Sequence, residues 1–433
     1  MNIVIINDYA HINGVQDKLL FQVQLLWRKK DIMLCYLLRW DQLILRKRKD
    51  VNKVMIVGIN LMYLRPGQVG GSEFYIREVI NELQNFCTIR IFCSKEVALT
   101  FQQKKNLDIN ILTNNDFSQI NRLYCENIKI RKILHNKPID ILWSPANFAI
   151  FLSNRKIPQI CTIHDLQYLH CSQDRSYFAR VSQKILFFLT FSVCSHVISI
   201  SDFTKKDLID NYNLDETYIT TVLNGVNSNQ FDISEEKRTA LKDKFDLPEH
   251  FFYYPAVTMP HKNHLGLLES FSKFHAQNKN IYLIFSGATS GIYSDTYLQI
   301  EEKIQNLGLG QYVKHLGYIS RDEVFEVMSS AKAMVFPSEF EGFGLPLLEA
   351  MRCRTPVIAS NKSSIPEIAG DAAILIDPYD IDGWVRSMQD VLHNKILRIK
   401  LQEKGICNLT RFSWKKCALE TYEVFCRVVS NHK

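Results

Sequence analysis

Glu341 and Glu349 are separated by seven residues of a glycine-rich stretch, EGFGLPLLE, and their setting implies a definite chemistry. The apolar run AMVFPS (residues 333–338) ahead of them reads as a buried strand. Gly342 and Gly344 then form a loop, and Pro346 opens a helix where its missing N–H costs nothing. Strand, glycine loop and helix N-terminus in that order let main-chain N–H groups approach a phosphate, whose charge the helix dipole favours. Carboxylates would repel that phosphate unless aimed elsewhere. Glu341 and Glu349 therefore suit hydroxyl-rich groups on either side of it, a sugar and a ribose. A similar strand, glycine loop and helix occur earlier, where KVMIVGINL (53–61) leads through Gly70 and Gly71 into FYIREVINELQ (74–84). His164, with Asp165, ends the strand-like QICTIHD, and Lys262 lies in PHKNH just past FFYYPAV. No Ser-His-Asp set, activated cysteine or carboxylate pair with a clear nucleophile emerges. Asp380 and Asp382 form a D-x-D before an apparent helix, DGWVRSMQDVL. Two acids underfill a divalent site, so helix capping explains them better, and metal independence is expected.

The elements that must hold these residues are alternating strands and helices. In the first half, strand-like runs fall at residues 53–61, 89–94, 140–145, 159–165, 196–201 and 219–225. Six more follow in the second half, at 251–257, 282–287, 313–317, 333–338, 356–360 and 372–377. With helical stretches between them, they imply an α/β protein with two parallel sheets and crossover helices. The boundaries read as Rossmann-like units over 51–240 and 241–410, joined by the charged stretch 232–250, with a terminal amphipathic helix within 411–433. In such sheets a ligand binds at the C-terminal ends of the strands.

The two glutamates around GFGLP, followed by LEAMRCRTPVIASNKSSIPEIAGDAAILIDP (348–378), resemble the nucleotide-sugar site of the retaining glycosyltransferases of family 4. The resemblance implies the GT-B fold, two Rossmann-like domains facing across a cleft, with the terminal helix crossing back to the first. It assigns Glu341 to the transferred sugar and Glu349 to the ribose hydroxyls. Gly342, Phe343, Gly344 and Leu345 become loop contacts to sugar and diphosphate. Lys262 occupies the place of a diphosphate-binding lysine, where a cation stabilises charge growing on the leaving group. Many relatives carry an arginine a few residues earlier; here Ala256, Val257 and Thr258 stand there instead. His164 matches a histidine that approaches the sugar, either supporting an oxocarbenium-like transition state or holding a hydroxyl. Gly70 and Gly71 abut the donor phosphates. PHKNH resembles the same segment in bacterial cell-surface polysaccharide mannosyltransferases, which implies a hexosyl, foremost mannosyl, donor and a saccharide or lipid-linked acceptor. No cofactor beyond the nucleotide-sugar substrate is implied. The competing readings are an inactive GT-B relative that binds a nucleotide sugar or a partner, and a sugar-nucleotide epimerase.

Composition fits this frame. A chain of 433 residues with 46% apolar content has material for two cores. The net charge of +7 is uneven, since residues 1–50 hold nine Lys/Arg against five Asp/Glu. That balance argues against nucleic acid and for a peripheral contact with an anionic membrane. Eleven scattered cysteines without framework spacing read as reduced thiols in a cytoplasmic protein, and no secretory signal is apparent. The longest apolar run, ILFFLTFSVC (185–194), is too short for a bilayer span and reads as a buried helix. Residues 1–50 are atypical. They read as the remnant of a second transferase start or as a basic amphipathic helix on a membrane.

Overall fold

The computed structural model describes residues 54–67, 70–101, 106–114, 118–151, 156–171, 176–227 and 229–432. The expectations for residues 1–50 lie outside them. Two parallel sheets dominate. The first contains β1 (Ile56–Asn60), β2 (Thr88–Ser94), β3 (Leu107–Thr113), β4 (Ile141–Ser144), β5 (Gln159–Ile163), β6 (His196–Ser199) and β7 (Ile219–Thr221), in the order β3-β2-β1-β4-β5-β6-β7. The second contains β8 (Phe251–Pro255), β9 (Tyr282–Ser286), β10 (Val313–His315), β11 (Ala333–Phe336), β12 (Val357–Ser360) and β13 (Ala373–Ile376), in the order β10-β9-β8-β11-β12-β13.

Every expected strand is present because a parallel strand buried on both faces must be a short, continuous apolar run. β11, for example, is AMVF with all four residues buried. β3 is an addition to the sequence reading. Its sequence LDINILT interleaves Asp108 and Asn110 with apolar residues, and as a half-exposed edge strand it needs no continuous apolar run.

In both sheets the strand order reverses beside the first strand, between β1 and β4 and between β8 and β11. Crevices open at such points, outside the carboxyl ends of the strands. Lys262 follows β8 and Glu341 follows β11, so the topology brings two loops distant in sequence to one crevice.

Leu241 and Leu247, from the charged stretch 232–250, are buried in the core of the second sheet. The terminal helix Trp414–His432 packs on the first sheet instead, burying Trp414, Cys417, Phe425 and Val428 with Tyr75 and Val79 of helix Gly71–Leu83. Trp414 meets Phe74 edge to face, with ring centroids 5.4 Å apart. Trp414→Ala is expected to cost about 3–5 kcal/mol of the first lobe's stability. Chemical denaturation followed by circular dichroism measures it.

The run 185–194 differs from its expected burial. It lies on helix Tyr177–Val193, where Phe187 and Thr190 face inward while Ile185, Phe188 and Leu189 are exposed. An apolar run fixes neither which side of a helix meets the sheet nor whether anything covers the other. No described helix is long and apolar enough to cross a membrane.

Candidate active site

The site is built from loops at the strand ends of both lobes. In the second lobe, Pro260–Lys262 make one tight turn after β8, and Asn263 takes a left-handed conformation that caps the following helix, His264–His275. Tyr254 Oη donates to Lys262 O at 2.8 Å and fixes that turn. Lys262 Nζ then reaches Glu341 Oε1 at 2.6 Å, and the two side chains are only 16% and 13% exposed. Three contacts anchor Glu341 and the residue before it. The Glu341 main-chain N–H donates to Ser363 Oγ at 2.9 Å, its carbonyl accepts from Ser364 Oγ at 2.8 Å, and Phe340 is buried.

Beyond Glu341 the loop turns sharply. Gly344, at φ 93°, occupies a conformation costly for a side chain and serves as the N-cap of helix Leu345–Arg352, with Pro346 in its first turn. Pro346 has no N–H and the Leu347 N–H donates to the Gly344 carbonyl at 3.0 Å, so a main-chain donor for a ligand at this end comes from the loop as far as Leu345. Phe343 is buried and meets Phe412 edge to face at 5.9 Å, which pins the loop from behind.

The first lobe meets this loop closely. A Cβ on Gly342 would stand 2.2 Å from the His164 carbonyl oxygen, a separation that only glycine allows. Ser201 Oγ donates to the Gly342 carbonyl at 2.8 Å. A Cβ on Gly71 would lie 3.5 Å from Leu345 Cδ1, so the two glycine loops also face each other. Gly70 is the N-cap of helix Gly71–Leu83. Farther round the crevice, the Gln167 amide donates to His261 Nδ1 at 3.0 Å, and Glu367 accepts the N–H groups of Asp202 and Phe203 at 2.9 and 3.0 Å.

His164 is buried at the end of β5, edge to face with Tyr75 at 5.1 Å. Burial lowers its pKa, opposed by its hydrogen bond to Pro145 O at 2.8 Å. A carbonyl only accepts, so Nε2 carries the proton and Nδ1 of the neutral ring is an acceptor. This tautomer suits a sugar hydroxyl better than a positive charge. Burial holds the ring neutral at the pH where an ordinary histidine is half protonated, so acidification from pH 8 to about 6.5 should leave its contribution intact. His164→Ala is expected to lower transfer about 10- to 100-fold across that range. A pH–rate profile of both proteins checks it, and a loss confined to one limb would contradict the neutral role.

Glu349 is held in a way the sequence did not reveal. Arg321 Nη2 donates to its Oε1 at 2.6 Å, and the guanidinium lies 3.3 Å over the Phe74 ring of the first lobe. Burial raises the Glu349 pKa, and Arg321 and Arg352 counter it. His170 is a further residue that sequence reasoning passed over. Its Nε2 meets both Asp207 oxygens at 2.8 and 2.9 Å, a hydrogen bond that raises its pKa. The ring stacks on Phe340, next to Glu341, at 4.8 Å. Neither pairing leaves a local signal, because the partners are far apart in sequence.

The earlier positions 256–258 offer no second cation, and Thr258 is fully buried on main-chain carbonyls. Asp380 caps its helix by accepting from Gly383 N at 2.9 Å, and Asp382 pairs with Lys273 at 3.2 Å.

Residues 236–406 match the family described as Glycosyl transferases group 1, and residues 69–230 match Glycosyltransferase Family 4. The chain belongs to the group 1, family 4 glycosyltransferases. This glycosyltransferase is 27% identical over 291 residues to the O-antigen chain mannosyltransferase B of Escherichia coli, an alignment covering 66% of this chain and 74% of that one. It is also 27% identical over 244 residues to the serotype-specific mannosyltransferase WbdA of Escherichia coli, covering 56% of this chain but only 30% of that longer protein. Among solved structures, Anabaena HepE in complex with UDP and glucose superimposes with a TM-score of 0.70 at 16% identity, covering 86% of this chain and all of that one. The glycosyltransferase therefore has the GT-B fold.

Proposed function

We propose that this glycosyltransferase is a retaining hexosyltransferase that moves mannose from a nucleotide diphosphate donor to a saccharide or lipid-linked saccharide in cell-surface polysaccharide synthesis. The observation that carries this reading is the Lys262–Glu341 pair, 2.6 Å apart, at the switch point of the second sheet and beside a helix N-terminus. The names of the two Escherichia coli relatives support mannose. The UDP and glucose in the HepE complex support a nucleotide-sugar class of donor.

In this reading an ammonium group engaged with one carboxylate oxygen still has two N–H donors to offer the diphosphate. The Gly342–Leu345 loop adds main-chain donors where Gly344 turns into the helix. Glu341 holds a hydroxyl of the sugar, His164 Nδ1 accepts another, and Glu349 takes the ribose hydroxyls while keeping Arg321. During transfer the bond from the anomeric carbon to the phosphate oxygen breaks, and the bond to the acceptor oxygen forms on the same face. The acceptor proton passes to the departing phosphate oxygen. The chain itself supplies positioning and electrostatic stabilisation of the leaving charge.

The test is transfer by the purified full chain from GDP-mannose, UDP-glucose and related donors, with product configuration read by NMR. Mannosyl transfer with the donor's anomeric configuration is expected. Activity should survive EDTA, since Asp380 and Asp382 are engaged in capping and in a lysine pair. An inverted product, or no transfer from any sugar nucleotide, would overturn the reading.

A further inference from the structure

We propose that Asn147 is a further binding residue for the transferred sugar, its side-chain amide donating to a hydroxyl that Glu341 and His164 can meet only as acceptors.

Asn147 follows β4, beside the point where the strand order of the first sheet reverses. Its backbone is costly. At φ 46° it occupies the left-handed region, and the Phe148 N–H folds back on the Ala146 carbonyl at 2.5 Å to close a three-residue turn around it. Among the described residues, the other non-glycine positions of positive φ are Asn213, Asp246, Asn263, Arg354 and Ser363. Asn213, Asp246 and Arg354 end helices, where this conformation is common, and Asn263 begins one. Asn147 and Ser363 remain, and each holds a site residue by its main-chain N–H. Asn147 Oδ1 accepts from His164 at 2.8 Å, and Ser363 Oγ accepts from Glu341 at 2.9 Å. Glycine would take either turn without strain, so a side chain kept there at a cost points to use.

The two differ in what is left over. Ser363 Oγ gives its proton to the Lys362 carbonyl at 2.8 Å and is fully engaged. The His164 N–H can only donate, so the Asn147 atom that meets it is Oδ1, and this fixes the orientation of the amide. Nδ2 then carries two N–H donors that meet no acceptor among the described residues. Asn147 is half-buried and open to a ligand. Its place in the crevice follows from His164, whose carbonyl accepts from Thr204 Oγ1 at 3.3 Å and faces Gly342 of the second lobe. A donor here answers a chemical need. Glu341 and the neutral His164 Nδ1 take the protons of sugar hydroxyls and leave the oxygen lone pairs unmatched. The Asn147 amide supplies a partner for one of them, and a site built to pair a hydroxyl discriminates against a sugar that lacks it.

The inference rests on the proposed function for the sugar and on the turn for the donor group. Its test compares Asn147→Asp, which keeps an acceptor for the His164 N–H but has no donors, with Asn147→Gly, which also relieves the turn. Titration calorimetry and kcat/KM are measured with the sugar nucleotide that wild type binds, with its 2-, 3-, 4- and 6-deoxy analogues, and, for binding, with the nucleoside diphosphate alone. Both variants should lose about tenfold in affinity and in kcat/KM with the parent sugar. With one deoxy analogue, which costs wild type about tenfold, the variants should lose less than about twofold further. Nucleoside diphosphate affinity should stay within about threefold of wild type. Wild-type affinity and kcat/KM in Asn147→Asp would overturn the proposal. So would a loss of equal size with every analogue, which a purely structural role of Asn147 would produce. Failure of the transferase reading looks different, as a wild type that binds the sugar nucleotide without transferring it while the hydroxyl-specific loss of affinity persists. A wild type that binds no sugar nucleotide would overturn both.

Discussion

Gly342→Ala is expected to lower kcat/KM for sugar transfer about a hundredfold or more while changing nucleoside diphosphate affinity by less than about threefold. The added methyl would stand 2.2 Å from the His164 carbonyl oxygen and about 3.0 Å from Asp165 Cβ. A backbone carbonyl cannot swing aside as a long side chain can, so either the loop or the lobe must retreat. Retreat also stretches the bond from Ser201 Oγ to the Gly342 carbonyl, 2.8 Å in the native chain. Of the proposed diphosphate contacts, Lys262 and the Leu345 end of the loop belong to the second lobe and stay in place, and Gly70 and Gly71 of the first lobe are the ones a retreat moves. In the proposed reading His164 and Glu341, by contrast, act on one sugar from opposite sides of the crevice, and a misplacement near 1 Å suffices to cost about two orders of magnitude. Titration calorimetry with nucleoside diphosphates and steady-state kinetics separate the two effects. A variant with normal kcat/KM would show that transfer does not need this approach of the lobes.

The second large effect concerns the Lys262–Glu341 pair. Lys262→Ala is expected to reduce kcat about 10²- to 10³-fold, the loss typical when a group that stabilises developing charge is removed. Donor binding should weaken as well, because the Glu341 carboxylate, 13% exposed, is left without its counter-charge beside an incoming anion. Glu341→Ala should lower kcat comparably without that repulsion. The double variant should therefore bind donor more tightly than Lys262→Ala alone, while its turnover falls by less than the product of the single effects. Strict additivity in both quantities would mean that the two side chains do not act as a unit.

The sequence disclosed most of the architecture because buried parallel strands must be short apolar runs between turn residues, and those runs are visible one by one. β3 escaped notice for the complementary reason. At a half-exposed edge its Asp108 and Asn110 break the apolar run. Helix Tyr177–Val193 exposes a different limit, since periodicity gives an apolar stripe but not what covers it.

At the site, the order strand, glycine loop, helix could be read directly, and Gly344 adopts the left-handed turn that order requires. What could not be read were the partners. Arg321 lies 28 residues from Glu349, and Ser201 lies 141 residues from Gly342. The first meeting depends on how the helices Arg321–Ser330 and Leu345–Arg352 pack within the second lobe and the second on how the two lobes approach, and no local pattern encodes either. The His164 tautomer was hidden in the same way, because it follows from the position of the Pro145 carbonyl.

The most direct measurement is a crystal structure of the full chain with a bound sugar nucleotide. Diphosphate oxygens are expected within about 2.7–3.2 Å of Lys262 Nζ and of main-chain nitrogens in the Gly342–Leu345 loop, with Glu341 on a sugar hydroxyl and Glu349 on the ribose. A diphosphate seated away from the β8–β11 crevice, or a chain that binds no sugar nucleotide at millimolar concentration, would contradict the account.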